Sequence, residues 1–77
     1  MHVVIAKVDE NLFDGEARSV TLPGAEGELT VLSRHMPLIT NLVQGQITVR
    51  PTEGEHKVFK IESGVLEVRR DGATVIL

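Results

Sequence analysis

Apolar and polar residues alternate along most of this chain with a period of two. Ile47 and Val49 stand against Thr48 and Arg50, and Val20 and Leu22 against Ser19 and Thr21. From Glu55 to Glu62, Lys57, Phe59 and Ile61 oppose Val58, Lys60 and Glu62. A period of two puts one side of a strand on a core and the other in water. His2 to Val8, Glu28 to Leu32, Val65 to Arg70 and Ala73 to Leu77 are further runs of strand length. Leu38 to Val43 is a brief apolar piece. The one candidate for a helical period, Met36 to Val43, is short and begins at a proline.

Turn chemistry separates these runs. Asp9-Glu10-Asn11, Asp14-Gly15, Pro23-Gly24, Gly45, Pro51-Thr52-Glu53-Gly54 and Ser63-Gly64 are the expected breaks. Asp71-Gly72 is the strongest hairpin signal, expected as a type I′ turn with positive φ at both central residues. Seven or more short strands at a spacing of ~8–12 residues predict an all-β fold, a small antiparallel β-sandwich or barrel, over the single domain 1–77. The alternation assigns the core to Val4, Ala6, Val20, Leu22, Leu29, Val31, Ile47, Val49, Phe59, Ile61, Leu66, Val68 and Val75.

Composition narrows the function. The chain has 77 residues and no cysteine, which leaves neither a disulfide framework nor a thiolate metal site. A domain of this size buries only about 60–65% of its unfolded surface, so regular structure or partners must stabilise it. A net charge of −3 argues against nucleic acid as the main partner. Phe13 and Phe59 are the only aromatics, too few for a base-stacking platform. No run approaches the ~18 apolar residues of a membrane span. The N-terminal residues do not read as a signal peptide, so a cytosolic location is the default expectation.

The densest turn chemistry lies in Leu22 to Leu38, which holds Pro23, Gly24, Gly27, Pro37, Glu26, Glu28 and His35. Glu26 and Glu28 stand two apart, on one face of a strand start. Acid/base catalysis would need one of them in an apolar pocket; surface acids are the commoner case, so a solvated or partner-facing pair is expected. His35 has Ser33 two residues away but no orienting Asp, and a nucleophilic site would need both, with an oxyanion hole. His2, His35 and His56 lack the spacing of a zinc site. No glycine-rich phosphate loop with a following helix is present. Arg69-Arg70 reads as a charged hairpin end that guards an edge. The residues alone describe an acidic all-β domain without visible catalytic equipment, which points to binding or assembly.

Three stretches in order carry a resemblance: Leu22-Pro23-Gly24-Ala25-Glu26-Gly27-Glu28-Leu29, then Ser33-Arg34-His35-Met36-Pro37-Leu38-Ile39-Thr40, then Gly45-Gln46-Ile47-Thr48-Val49. Phe13-Asp14-Gly15 and Ser63-Gly64-Val65-Leu66-Glu67-Val68 extend it. Together they resemble the epsilon subunit of F-type ATP synthases, whose pattern runs through G-E, G-H-x-P-L-[LIV]-[TS] and S-G-G-[IVF]-[LA]-E-V.

The resemblance implies a flattened sandwich of about ten strands on the central stalk, a non-catalytic rotor piece without a cofactor. It implies gamma-subunit contact on one side and contact with the polar loops of the c-ring at the bottom. It would couple proton flow to ATP synthesis at the cytoplasmic face of a bacterial inner membrane. Glu28 and His35 match family positions near the ring, with Glu26 and Arg34 beside them. Two departures stand out. Ser33-Arg34 replaces the family's usual Pro-Gly, and Val65 replaces the second Gly of S-G-G. Most members also continue into a two-helix hairpin that restrains ATP hydrolysis and in some binds ATP. This chain stops at Leu77, so it is expected not to bind ATP. A free-standing module for a ligand or peptide strand is the alternative reading, and it would need a pocket or an open edge. An enzyme is disfavoured by the missing catalytic set.

Overall fold

A computed structural model describes residues 1–77 and contains strands without helices. Eight strands form: β1 (His2–Lys7), β2 (Glu10–Gly24), β3 (Gly27–Leu32), β4 (Leu38–Leu42), β5 (Gly45–Pro51), β6 (Lys57–Ile61), β7 (Gly64–Arg69) and β8 (Gly72–Ile76). The hydrogen-bonded order is β1-β8-β7-β4-β2-β5-β6, with β3 on the other side of β2 and β1 returning to β2. One layer is β1, β8, β7 and β4. The other is β3, the second half of β2, β5 and β6. All ladders are antiparallel except β1–β8, where the first and last strands run parallel.

The eight-strand count reflects β2. Asp14-Gly15 is no turn: it lies inside this 15-residue strand, paired with Val4 and Val3 of β1. A ladder partner along its flank overrides the local turn preference. Fifteen extended residues would reach about 50 Å, yet the molecule measures only 27 Å along its longest axis. The strand must therefore bend, and two register shifts mark where. One leaves Leu12 unpaired between Phe13↔Ile5 and Asn11↔Ala6; the other leaves Arg18 unpaired between Ala17↔Pro51 and Ser19↔Arg50. Such bulges bend a strand and change which side chains face inward.

The bulge at Arg18 explains the core of β2. Ala17 is buried before it, and Val20 and Leu22 after it; strict alternation cannot produce that set. In β1, Val3 and Ile5 are buried, where the alternation put Val4 and Ala6 inside. Every position from Val3 to Ala6 is apolar, so the pattern left the register open and pairing with β2 and β8 decided it. Leu42 and Ala73 join the core, while Leu29 and Phe59 only pack against it from half-buried sites.

On the outer face of the second layer, Arg50 lies across β2. Its guanidinium donates to Thr21 Oγ1 at 2.8 Å and Ser19 Oγ at 3.3 Å, and Thr21 shares a hydrogen bond with Thr30. Flanked by Leu32 and Arg50, Ser19 is buried although it points away from the core.

The hairpins also differ from the expected turns. The β1–β2 loop is Val8-Asp9, the β2–β3 loop is Ala25-Glu26 and the β7–β8 loop is Arg70-Asp71. Pro23-Gly24, Gly45, Gly64 and Gly72 belong to strands. Neither Asp71 nor Gly72 has positive φ, so the last hairpin is real but not type I′.

Candidate functional site

The β2–β3 hairpin places Glu26 in its loop and Glu28 on β3 opposite Pro23. Between them Gly27 has a φ of +126° with nothing within reach of an added Cβ. The backbone bend there asks for glycine. Both carboxylates are exposed, and they line a shallow cleft of about 390 Å³ between the hairpin and Leu38, Ile39 and Thr40 of β4. Neither has the apolar enclosure that an acid/base role requires.

Arg34 and His35 occupy the connection from β3 to β4. The His35 N–H donates to the Leu32 carbonyl at 3.1 Å, which closes a turn with Ser33 and Arg34 at its centre. Arg34 sits at φ +67°, the one non-glycine residue in the left-handed region. A positive φ in the third position is the type II pattern, which favours Pro then Gly. The Pro-Gly expected from the resemblance fits that geometry, so Ser33-Arg34 keeps the turn while Arg34 bears the strain. Arg34→Gly should raise stability by about 0.5–1 kcal/mol and the melting temperature by a few degrees. A thermal melt showing no rise would mean that the backbone relaxes. His35 is half-buried, with Nδ1 2.8 Å from the Met36 carbonyl, a donor position that fixes the ring's orientation.

The structure thus splits the expected residues. Glu26 and Glu28 share one cleft; Arg34 lines another with Arg70 of the β7–β8 loop. Met36 in the β3–β4 connection and Ile39 on β4 are 79% and 72% exposed, large apolar side chains at this end of the molecule. From its sequence, Arg70 reads only as part of a charged hairpin end, and Ile39 has no separate role. Only the fold brings the β7–β8 loop to Arg34, and Ile39 read simply as an apolar residue of a short run.

A second charged cluster lies at the start of β1. His2 pairs with Glu16 across the ladder. Its Nε2–H donates to Asp14 at 2.6 Å and its Nδ1–H to Glu16 at 3.2 Å, while the Met1 ammonium lies 3.5 Å from Glu16. Hydrogen bonds to Glu16 and Asp14 raise the His2 pKa above its ordinary 6.5. A raised pKa contributes stability that is full below about 6.5 and lost as pH climbs through the folded value. The melting temperature should therefore fall as pH rises from 6 towards 8, and His2→Gln should flatten that part of the profile. An unchanged slope in His2→Gln would assign the pH dependence elsewhere.

Comparison with known proteins places these features in context. Residues 1–77 match the family model described as ATP synthase, Delta/Epsilon chain, beta-sandwich domain. An ATP synthase epsilon chain of Bordetella avium is 42% identical over 77 residues, covering 99% of this chain and 54% of that protein. One from Delftia acidovorans is 38% identical over 76 residues, covering 99% and 55%. This chain therefore spans about half the length of these relatives. Among solved structures, a chain of the Euglena gracilis mitochondrial ATP synthase (OSCP, F1 and c-ring) superposes with a TM-score of 0.87 at 22% identity, covering 96% of this chain and 48% of that one. A chain of the Tetrahymena thermophila central stalk and c-ring gives 0.83 at 19%, covering 99% and 61%. At such identities the structural matches speak for the fold.

Proposed function

Because this chain belongs to the ATP synthase delta/epsilon beta-sandwich family, we propose that it is the non-catalytic sandwich of a rotor subunit, the epsilon chain of an F-type ATP synthase. In this role it docks the gamma subunit to the c-ring and passes rotation between them, at the cytoplasmic face of a bacterial inner membrane. The observation that carries the reading is the end-to-end match of residues 1–77 to the family's sandwich. Glu26, Glu28, Arg34 and His35 are the residues proposed to meet the polar loops of the ring. Their geometry suits that task. They are exposed or half-buried on turns and strand ends, where charge sets register and encounter rate more than raw affinity.

The test is size-exclusion chromatography of the purified chain with its cognate gamma subunit. Co-elution at one-to-one stoichiometry is expected, and separate elution at micromolar concentrations would refute the reading for this polypeptide. For the ring side, Glu28→Ala with His35→Ala should leave the melting temperature within about 2 °C of the parent, since neither residue belongs to the buried core. Binding to a gamma–c-ring subcomplex should weaken by roughly three- to tenfold, the size of two peripheral contacts. Full-strength binding would remove both residues from the interface.

A further inference from the structure

We propose that Arg34 and Arg70 form an oxyanion-binding cleft that takes a phosphate group. The two arginines, from the β3–β4 turn and the β7–β8 loop, line a cleft of about 410 Å³ with no hydrophobic side chain in its wall. Neither forms an ion pair. The nearest acids of the same hairpin are taken by Arg69, whose guanidinium meets Glu67 at 3.1 Å and Asp71 at 3.7 Å. Two exposed arginines without ion-pair partners therefore border one cleft in a chain whose net charge is −3. Arg34 is also held at φ +67°, a conformation that disfavours any residue with a side chain. Backbone strain of this kind persists where the surrounding structure holds it and clusters at ligand sites.

The donor set selects the ligand. A single carboxylate is satisfied by one guanidinium in a fork-to-fork pair. Two guanidiniums from separate turns present two forks, and a tetrahedral phosphate can offer each fork its own oxygens where a carboxylate would share one pair between them. The inference rests on these two turns and not on the rotor reading, and it is tested on the free chain, where no partner covers Arg34.

The experiment uses the 77-residue chain with inorganic phosphate, titrated at constant ionic strength against chloride and followed by amide and arginine side-chain chemical shifts. Saturable shifts confined to the two turns are expected. In Arg34→Gly, which keeps the turn, and in Arg70→Gln, affinity should fall about fivefold or more; Lys57→Gln, on the exposed edge strand β6, should bind as the parent does. Flotation with phosphatidylcholine vesicles, with and without phosphatidic acid, identifies the source of the phosphate. Flotation with phosphatidic acid that both arginine variants lose assigns a lipid headgroup. Saturable phosphate binding without flotation assigns a free phosphate. Linear shifts with no flotation, or parental binding by both variants, overturn the proposal.

Discussion

Gly72→Ala is expected to destabilise the fold by at least ~3 kcal/mol. Gly72 is buried at the start of β8, opposite His2 in the parallel β1–β8 ladder. A Cβ built there would run into the His2 carbonyl oxygen, with the carbonyl carbon at 3.1 Å and His2 Cβ at 3.4 Å. The obstacle is backbone, held by the ladder and by the His2 N–H donating to the Asp71 carbonyl at 3.3 Å. It cannot swing aside as a flexible side chain would. Relief requires moving β1 off β8, which opens the circuit joining the first strand to the last. Overpacking commonly costs about 1–3 kcal/mol, and more where backbone must shift. Gly15→Ala is the matched control. It also sits within a strand, but its new Cβ would meet the Phe13 ring at an ordinary 3.5 Å. Chemical denaturation of both variants checks the prediction. Equal stability of Gly72→Ala and Gly15→Ala would show that β1 and β8 do not approach this closely.

Leu22→Ala should cost about 2–5 kcal/mol through lost burial and the cavity left behind. Leu22 is fully buried on β2, between Leu29 of β3 and the core residues of the facing strands. A domain of this size has only about 4–12 kcal/mol in total, so the variant should be partly unfolded at 37 °C. Leu29→Ala, across the same ladder but half-buried, should lose clearly less. Urea denaturation of the pair reads the difference directly. A Leu29→Ala loss equal to that of Leu22→Ala would mean that the core extends to the β3 edge.

The candidate site was legible only in part. Glu26, Glu28, Arg34 and His35 stand in a stretch whose glycines and prolines announce turns, and all four lie on or next to a turn. Their distribution over two clefts was not legible. Glu26 and Glu28 face β4 because the β2–β3 hairpin folds beside it, with Gly24 opposite Leu42. Arg34 meets Arg70 because β7 pairs with β4, which carries the distant loop to the same end. Arg70 read as an edge guard for want of that pairing.

The alternation alone determined the all-β class and the inward faces of β5 and β7, because neither strand carries a bulged residue of its own and every second residue is apolar. Ile47, Val49, Leu66 and Val68 are buried as the period requires. Val20, Leu22, Val31, Ile61 and Val75 are buried as expected too, and the tertiary structure decided the remaining faces. In β1, consecutive apolar residues offered two registers, and only the neighbours β2 and β8 select Val3 and Ile5. In β2, Asp14-Gly15 carries a turn preference worth little against a ladder partner, and the bulge at Arg18 reverses which residues face inward. Gly72 is a turn residue by its sequence and a close-contact residue by its fold. Local propensity acts over a few residues, whereas register, bend and close approach depend on strands that meet from far along the chain.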